Sequence, residues 1–486
     1  MAFFLFLLVN ATLFIRPAEI VPALLGWEIY FYVILACFVA AAADVLRYLT
    51  GQSLETQPIT LCVFGLLVAI LVPSLLTGDV TEAWRTGFHF TKVIVYYVLF
   101  VSLVTTPARL RTLLICILAF SGTVTLLAVL RYHDIIHLDT MQTLQDRMQG
   151  IYGSTITIQR LQGTGIFHDP NELCVLLAAM VPLSLNISFP SRPLFPSRPL
   201  FPSRSSFPSR PSFPSSSLGT SGNLGLRIVC AAWLPLFAYA VFLTGSRGGF
   251  IAFAGGLGAL AWMRFGWKKT ALIGSIGLPL LLIVFAGRQT EISTSTGTAQ
   301  TRVELWREWL TTFRENMLFG KGMSLPKEEE MLNRRPDEQR RHLAHNSYLQ
   351  GFADLGLFGG CLFVGAFLCA GLAIYRVSAP DSLSSRRLKP APTSLGTRDY
   401  RDLQALQPYM LAGLSAYGLG MLSLSICYIV PTYMMLALSV SFTQITRRAS
   451  LAPPPPLRFD LPLLGRFAAA GVVTLFSIYV FVRFLA

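Results

Sequence analysis

Ala344-His345-Asn346-Ser347-Tyr348-Leu349-Gln350 closes a crowded, charged loop and passes without interruption into the apolar run Leu355 to Tyr375. A helix needs about 20 apolar residues to cross the ~30 Å hydrocarbon core of a bilayer. The chain therefore enters a membrane here, and a histidine stands at the entrance. Imidazole exchanges a proton near neutral pH, and a catalytic base needs a defined place beside its substrate. His345 is the first candidate for chemistry.

Comparable runs recur along the 486 residues, at roughly 3–16, 27–47, 57–77, 88–105, 110–130, 171–187, 226–244, 248–264, 269–287, 349–376, 404–427, 428–446 and 465–485. The sequence is 53% hydrophobic and only 13% charged, with a mean hydropathy of +0.56. That balance excludes a soluble globular domain and predicts an all-α polytopic membrane protein of about 12–13 transmembrane helices. The first run lacks a basic start and a small-residue cleavage site, so it reads as a retained span and not a signal peptide. All eight cysteines fall in or beside the runs, without disulfide or metal-ligand spacing. No metal and no cofactor are expected.

Lys and Arg in short loops mark the cytoplasmic side. With the N-terminus inside, that side collects Arg47, Arg109, Arg111, the arginines of 192–227, Arg264, Lys268, Lys269, the cluster 376–401, Arg447 and Arg448. Two long segments, 131–170 and 288–347, are left outside.

The expected organisation is 1–187 as N-terminal helices including the outer loop 131–170, 188–225 as an insertion, 226–287 as central helices, 288–347 as a catalytic outer loop with short helices, and 348–486 as C-terminal helices. The insertion repeats Phe-Pro-Ser-Arg from Phe189 to Ser217. Repeated prolines deny it helix or sheet, so it reads as a disordered cytoplasmic connection with no nucleic-acid partner. In the outer loop, Leu305, Trp306, Trp309, Leu310 and Phe313 recur at helical spacing over 301–314. Such a face suits either lipid or neighbouring helices.

Three stretches carry residues suited to chemistry. In Thr244-Gly245-Ser246-Arg247-Gly248-Gly249-Phe250 an arginine sits where two spans meet with almost no loop. An ionisable residue at that depth points to function, although snorkelling is the competing reading. In Gly163 to Glu172, Asp169 or Asn171 suits a helix cap before Pro170, and Asp169, Asn171 and Glu172 are possible substrate contacts. Around His345, Asn346 and Tyr348 are possible substrate contacts as well. Arg247, Arg288 and Arg302 share the outer side with His345. Arginine forks match phosphate oxygens and stay charged. Several arginines without a nucleotide loop or serine triad suit a lipid-linked pyrophosphate, with the histidine deprotonating an attacking hydroxyl.

These residues resemble the O-antigen ligase and O-antigen polymerase superfamily of bacterial envelope glycosyltransferases. The resemblance rests on Ser246-Arg247-Gly248-Gly249, on Arg302 followed by Trp306 and Leu318-Phe319-Gly320-Lys321-Gly322, and on His345-Asn346-Ser347-Tyr348-Leu349-Gln350 with Leu355-Gly356-Leu357-Phe358-Gly359. It implies inverting, metal-independent transfer of a glycan from undecaprenyl pyrophosphate to an acceptor hydroxyl at the periplasmic face of the inner membrane. Arg247 and Arg302, with Arg288 in the same role, would hold the donor pyrophosphate. His345 would activate or position the acceptor. Lipid A core, a growing surface or exopolysaccharide glycan, and protein are the acceptor classes that the superfamily leaves open. A bicarbonate-like anion transporter is the competing class, and no pair of corresponding broken helices suggests the inverted repeat typical of one.

Overall fold

A computed structural model describes residues 1–24, 26–50, 54–137, 144–149, 155–189, 224–286, 298–325, 343–377, 394–450, 453 and 455–485. The Phe-Pro-Ser-Arg repeat beyond Phe189, Arg288 and the charged run 327–341 lie outside them. In order come helices α1 (Ala2–Ile15), α2 (Ile29–Thr50), α3 (Pro58–Leu76), α4 (Val80–Leu103) and α5 (Pro107–Tyr132); strands β1 (Leu144–Gln149) and β2 (Thr155–Arg160); then α6 (Pro170–Ser188), α7 (Leu224–Thr244), α8 (Arg247–Ala286), α9 (Thr298–Glu315), α10 (Ser347–Val377), α11 (Ser394–Gly420), α12 (Val430–Ala449) and α13 (Leu461–Leu485).

The helix starts are written in the sequence. Proline occupies the first turn of α3, α5, α6 and α12, where its missing N–H costs nothing. Side chains also cap helix starts: Asp79 accepts from the Glu82 N–H at 2.9 Å, Thr106 from Arg109 at 3.3 Å, and Asp169 from Asn171 at 2.7 Å.

Among the described residues ten helices are long and apolar enough to cross a membrane, the first and last among them, so the expected polytopic all-α protein is observed. Helices α11 and α12 fall outside that group because they carry more polar side chains. In α12 these are sheltered from lipid: Ser439, Thr443 and Thr446 are buried in the bundle. Each hydroxyl donates to a carbonyl one turn back, at 2.8, 2.9 and 2.7 Å. Lipid supplies no partner, so such internal satisfaction is required. Helix α6 sits among α7, α8 and α11, while α10 packs on α3, α12 and α13. Outward faces carry Leu272, Ile276, Val472, Val473 and Phe476, all exposed, as lipid contact demands.

Two glycines break long helices. The sequence predicts separate spans over 248–264 and 269–287; the observed α8 is interrupted at Gly266 (φ 76°, ψ 167°), between Arg264 and Lys268. The second break, at Gly356 in α10 (φ 64°, ψ −165°), lies inside what reads as one span. Main-chain groups freed there find partners in 317–322. The Lys321 and Gly322 N–H groups donate to the Ala353 and Asp354 carbonyls at 3.0 and 2.9 Å, and the Leu357 and Phe358 N–H groups to those of Met317 and Leu318 at 2.8 and 3.2 Å. Gly320 and Gly356 permit the approach, because a Cβ on either would overlap the opposite main chain. Two stretches singled out in the sequence are thus halves of one clip. Gly356→Ala is expected to cost more than the ~1–2 kcal/mol of a left-handed non-glycine residue, because overlap with Leu318 adds to it. Thermal unfolding in detergent measures this, and an unchanged midpoint would contradict the clip.

Two elements of the long loops differ from expectation or resolve it. The loop 131–170 contains an antiparallel hairpin, β1 on β2, with Leu144 opposite Arg160 and Gln149 opposite Thr155. Helix α9 packs its apolar face on protein, not lipid: Leu310 meets Leu349, Ile478 and Val482, and the Trp306 ring lies 5.5 Å from that of Phe481.

Candidate functional site

Helices α6, α8 and α10 begin at one end of the bundle, and each start is capped by its own chain. Asp169 caps α6. The Ser246 hydroxyl accepts the Gly249 N–H at 3.0 Å at the head of α8. Asn346 Oδ1 accepts the Tyr348 and Leu349 N–H groups, each at 3.1 Å, at the head of α10. Helix N-termini carry partial positive charge, so this end of the bundle favours anions before any side-chain charge is counted.

Close packing draws the three starts together. A Cβ on Gly249 would overlap Cys174 of α6, and one on Gly248 would overlap Ser423. Ser423 lies in the strap 421–429 between α11 and α12. Two residues further on, Ser425 Oγ accepts the His345 N–H at 2.9 Å, and a two-residue step spans at most ~7 Å. Ser347 adds two bonds to the strap, donating to the Leu424 carbonyl at 2.6 Å and accepting the Ile426 N–H at 2.9 Å. The turn bearing Arg247 and the turn bearing His345 therefore lie against neighbouring parts of one strap. Their separation in sequence is closed by small hydroxyl residues.

His345 is half-buried and holds a left-handed backbone, φ 46°. That conformation is uncommon for a side chain other than glycine, asparagine, aspartate or histidine. Both flanks of the turn are fixed. Besides the Ser425 contact, the Trp306 indole N–H donates to the Ala344 carbonyl at 2.8 Å. Trp306 follows Arg302 by one helical turn on α9, so the same bond sets Arg302 relative to His345.

Arg302 is the electrostatic centre of the site. Burial pulls its guanidinium below the ordinary arginine range; Asp169 opposes the shift, and Arg160 and Arg247 add to it. Arginine keeps its proton in proteins, so the physical content is an under-compensated cation. Arg247 is exposed beside it. Arg160, at the end of β2, was not a candidate from the sequence. Its Nε donates to the Thr244 carbonyl at 2.7 Å and its Nη2 to Asn171 Oδ1 at 2.9 Å, tying the hairpin to the end of α7 and the start of α6. The alternation Thr155-Ile156-Thr157-Ile158 is the strand signal that would have placed it.

The remaining candidates lie around this group. Asp169 and Asn171 belong to it, as cap and as partner of Arg160. Glu172 lines a separate small pocket with Phe167, Tyr417 and Ile426. Asn346 is buried as a helix cap. Tyr348 donates its hydroxyl to the Gly418 carbonyl at 2.9 Å, with its ring turned inward toward Phe363. Arg288 lies outside the described residues.

Beneath His345 the clip brings a second set of charges. Asp354 is buried, accepts from the Tyr428 hydroxyl at 3.2 Å, and has Lys321 Nζ at 3.9 Å. The same ammonium stands 4.0 Å over the Trp309 ring of α9. Helix α9 is thus fastened to α10 at Trp306 and again at Trp309, which leaves Arg302 little freedom relative to His345.

Residues 231–364 match the family described as O-Antigen ligase, a stretch that includes Arg247, Arg302 and His345. No curated protein matches the chain.

Proposed function

Because residues 231–364 of this multi-pass membrane chain match the family described as O-Antigen ligase, we propose that it transfers a glycan from undecaprenyl pyrophosphate to an acceptor hydroxyl at the periplasmic face of the inner membrane. The observation carrying this reading is the grouping of Asp169, Arg160 and Arg247 about Arg302, beside a histidine held through Ser425. A pyrophosphate supplies the negative charge that this group lacks, and guanidinium forks match its oxygens. Arg302 and Arg247 hold the donor, with Arg288 a further candidate for the same role. Arg160 orients the group from behind, since its donors already serve Thr244 and Asn171.

His345 takes the proton from the acceptor hydroxyl. The acceptor oxygen bonds to the anomeric carbon as that carbon's bond to the pyrophosphate oxygen breaks, and the electron pair leaves on the pyrophosphate. Attack from the face opposite the leaving group inverts the anomeric configuration. The arginines stabilise charge that grows on the departing oxygen, the role a metal ion plays in other phosphate chemistry. Lipopolysaccharide core or another surface glycan is the acceptor class, and the strap beside His345 is where it enters.

Reconstitution tests the reading. Proteoliposomes supplied with a lipid-pyrophosphate glycan and, separately, with lipid A core, a lipid-linked glycan or an acceptor peptide are expected to yield one inverted product and free polyprenyl pyrophosphate. Anion flux without lipid-linked sugar, together with no transfer to any acceptor, would replace the enzyme by a transporter.

A further inference from the structure

The end of the bundle opposite His345 holds a second basic site. Helices α10 and α12 both begin at the His345 end, and in their last turns they carry Arg376 and Arg447. Both arginines line a cavity of about 70 Å³ whose other polar walls are Thr56, Gln57, Thr60, Thr443 and Gln444. No aspartate or glutamate lines it, and neither arginine has an ion pair among the described residues. Segment 455–457 closes one side, held down where the Phe459 N–H donates to the Glu55 carbonyl at 2.7 Å and Phe459 packs on Phe467.

Basic residues at a membrane edge usually reach into water. Arg447 is only half-exposed, and its Nε is buried without a hydrogen-bond partner among the described residues. A buried donor without a partner is costly, and a charged one more so. That nitrogen needs an acceptor, and no carboxylate in the cavity wall supplies one.

The cavity has room for an anion: a water-sized group needs about 10–15 Å³ of such space, and 70 Å³ admits a tetrahedral oxyanion. We propose that Arg376 and Arg447 form a phosphate-group site at the end of the bundle opposite His345, completed by Thr443 and Gln444. The phosphate can belong to an anionic lipid headgroup or to a free ion, and the experiment separates the two.

The full chain in phosphatidylcholine nanodiscs is titrated with inorganic phosphate by calorimetry; in parallel, nanodiscs containing phosphatidylglycerol are examined by native mass spectrometry for retained lipid. The expected result is saturable binding of one of the two probes, weakened about 10- to 100-fold by Arg447→Gln and by Arg376→Gln, as the loss of a charged hydrogen bond implies. Ala373→Leu, which fills the cavity and keeps both arginines, is expected to weaken binding equally, so the result does not rest on variants that lose charge. Phosphate binding identifies a soluble anion, and phosphatidylglycerol retention identifies a headgroup. Binding of neither probe overturns the proposal, as does binding that all three variants leave unchanged.

Discussion

A chain carrying His345→Asn is expected to transfer glycan about 10²–10⁴-fold more slowly than the parent, the usual contribution of a positioned acid–base group, while keeping its fold and its donor. Asparagine is the informative replacement because position 345 has φ 46°. It tolerates the left-handed conformation better than alanine does, and it cannot accept the proton. The turn is held by the His345 N–H on Ser425 and by the Ala344 carbonyl on Trp306. Both are main-chain groups that any residue supplies. Donor binding by lipid-pyrophosphate analogues and transfer rate therefore separate cleanly. Normal transfer by His345→Asn would remove the role assigned to His345, whatever the fate of the arginines.

How far the sequence already showed this differs from element to element. The crossing helices were legible because hydrophobic length is a local property, and the division of α8 was legible because Arg264, Lys268 and Lys269 flank Gly266. Arg247 and His345 stood out for a similar reason, each a polar group beside an apolar run, while Arg302 stood out on the helical pattern of 301–314. What was hidden depends on partners distant in sequence. Arg160 looks like any loop arginine until it meets Thr244, 84 residues away. The face of α9 reads the same whether lipid or helix covers it, and only Leu349, Ile478 and Val482 decide the matter. The break at Gly356 was masked by the apolar residues around it, since its counterpart, 317–322, lies in another segment.

The second large effect is expected at Arg302, where function and stability should part. Arg302→Gln removes the guanidinium that Asp169, Arg160 and Arg247 all feel, and with it at least two charge-assisted hydrogen bonds to a bound pyrophosphate. At roughly 1.5–3 kcal/mol each, these account for a fall of about 10²–10⁴-fold in transfer efficiency. Arg302→Lys keeps the charge but not the fork, and should recover only part of the loss. Stability should move the other way or not at all. Burial and the two neighbouring arginines disfavour a cation here more than Asp169 favours it, so in the empty site glutamine relieves repulsion. The anchor of α9, from the Trp306 indole to the Ala344 carbonyl, is untouched. Thermal unfolding of Arg302→Gln without donor is thus expected at or above the parent temperature, and donor should raise the parent's midpoint but not the variant's. A variant that loses stability as steeply as it loses transfer would make Arg302 a structural residue. One that retains donor-induced stabilisation would move the pyrophosphate elsewhere.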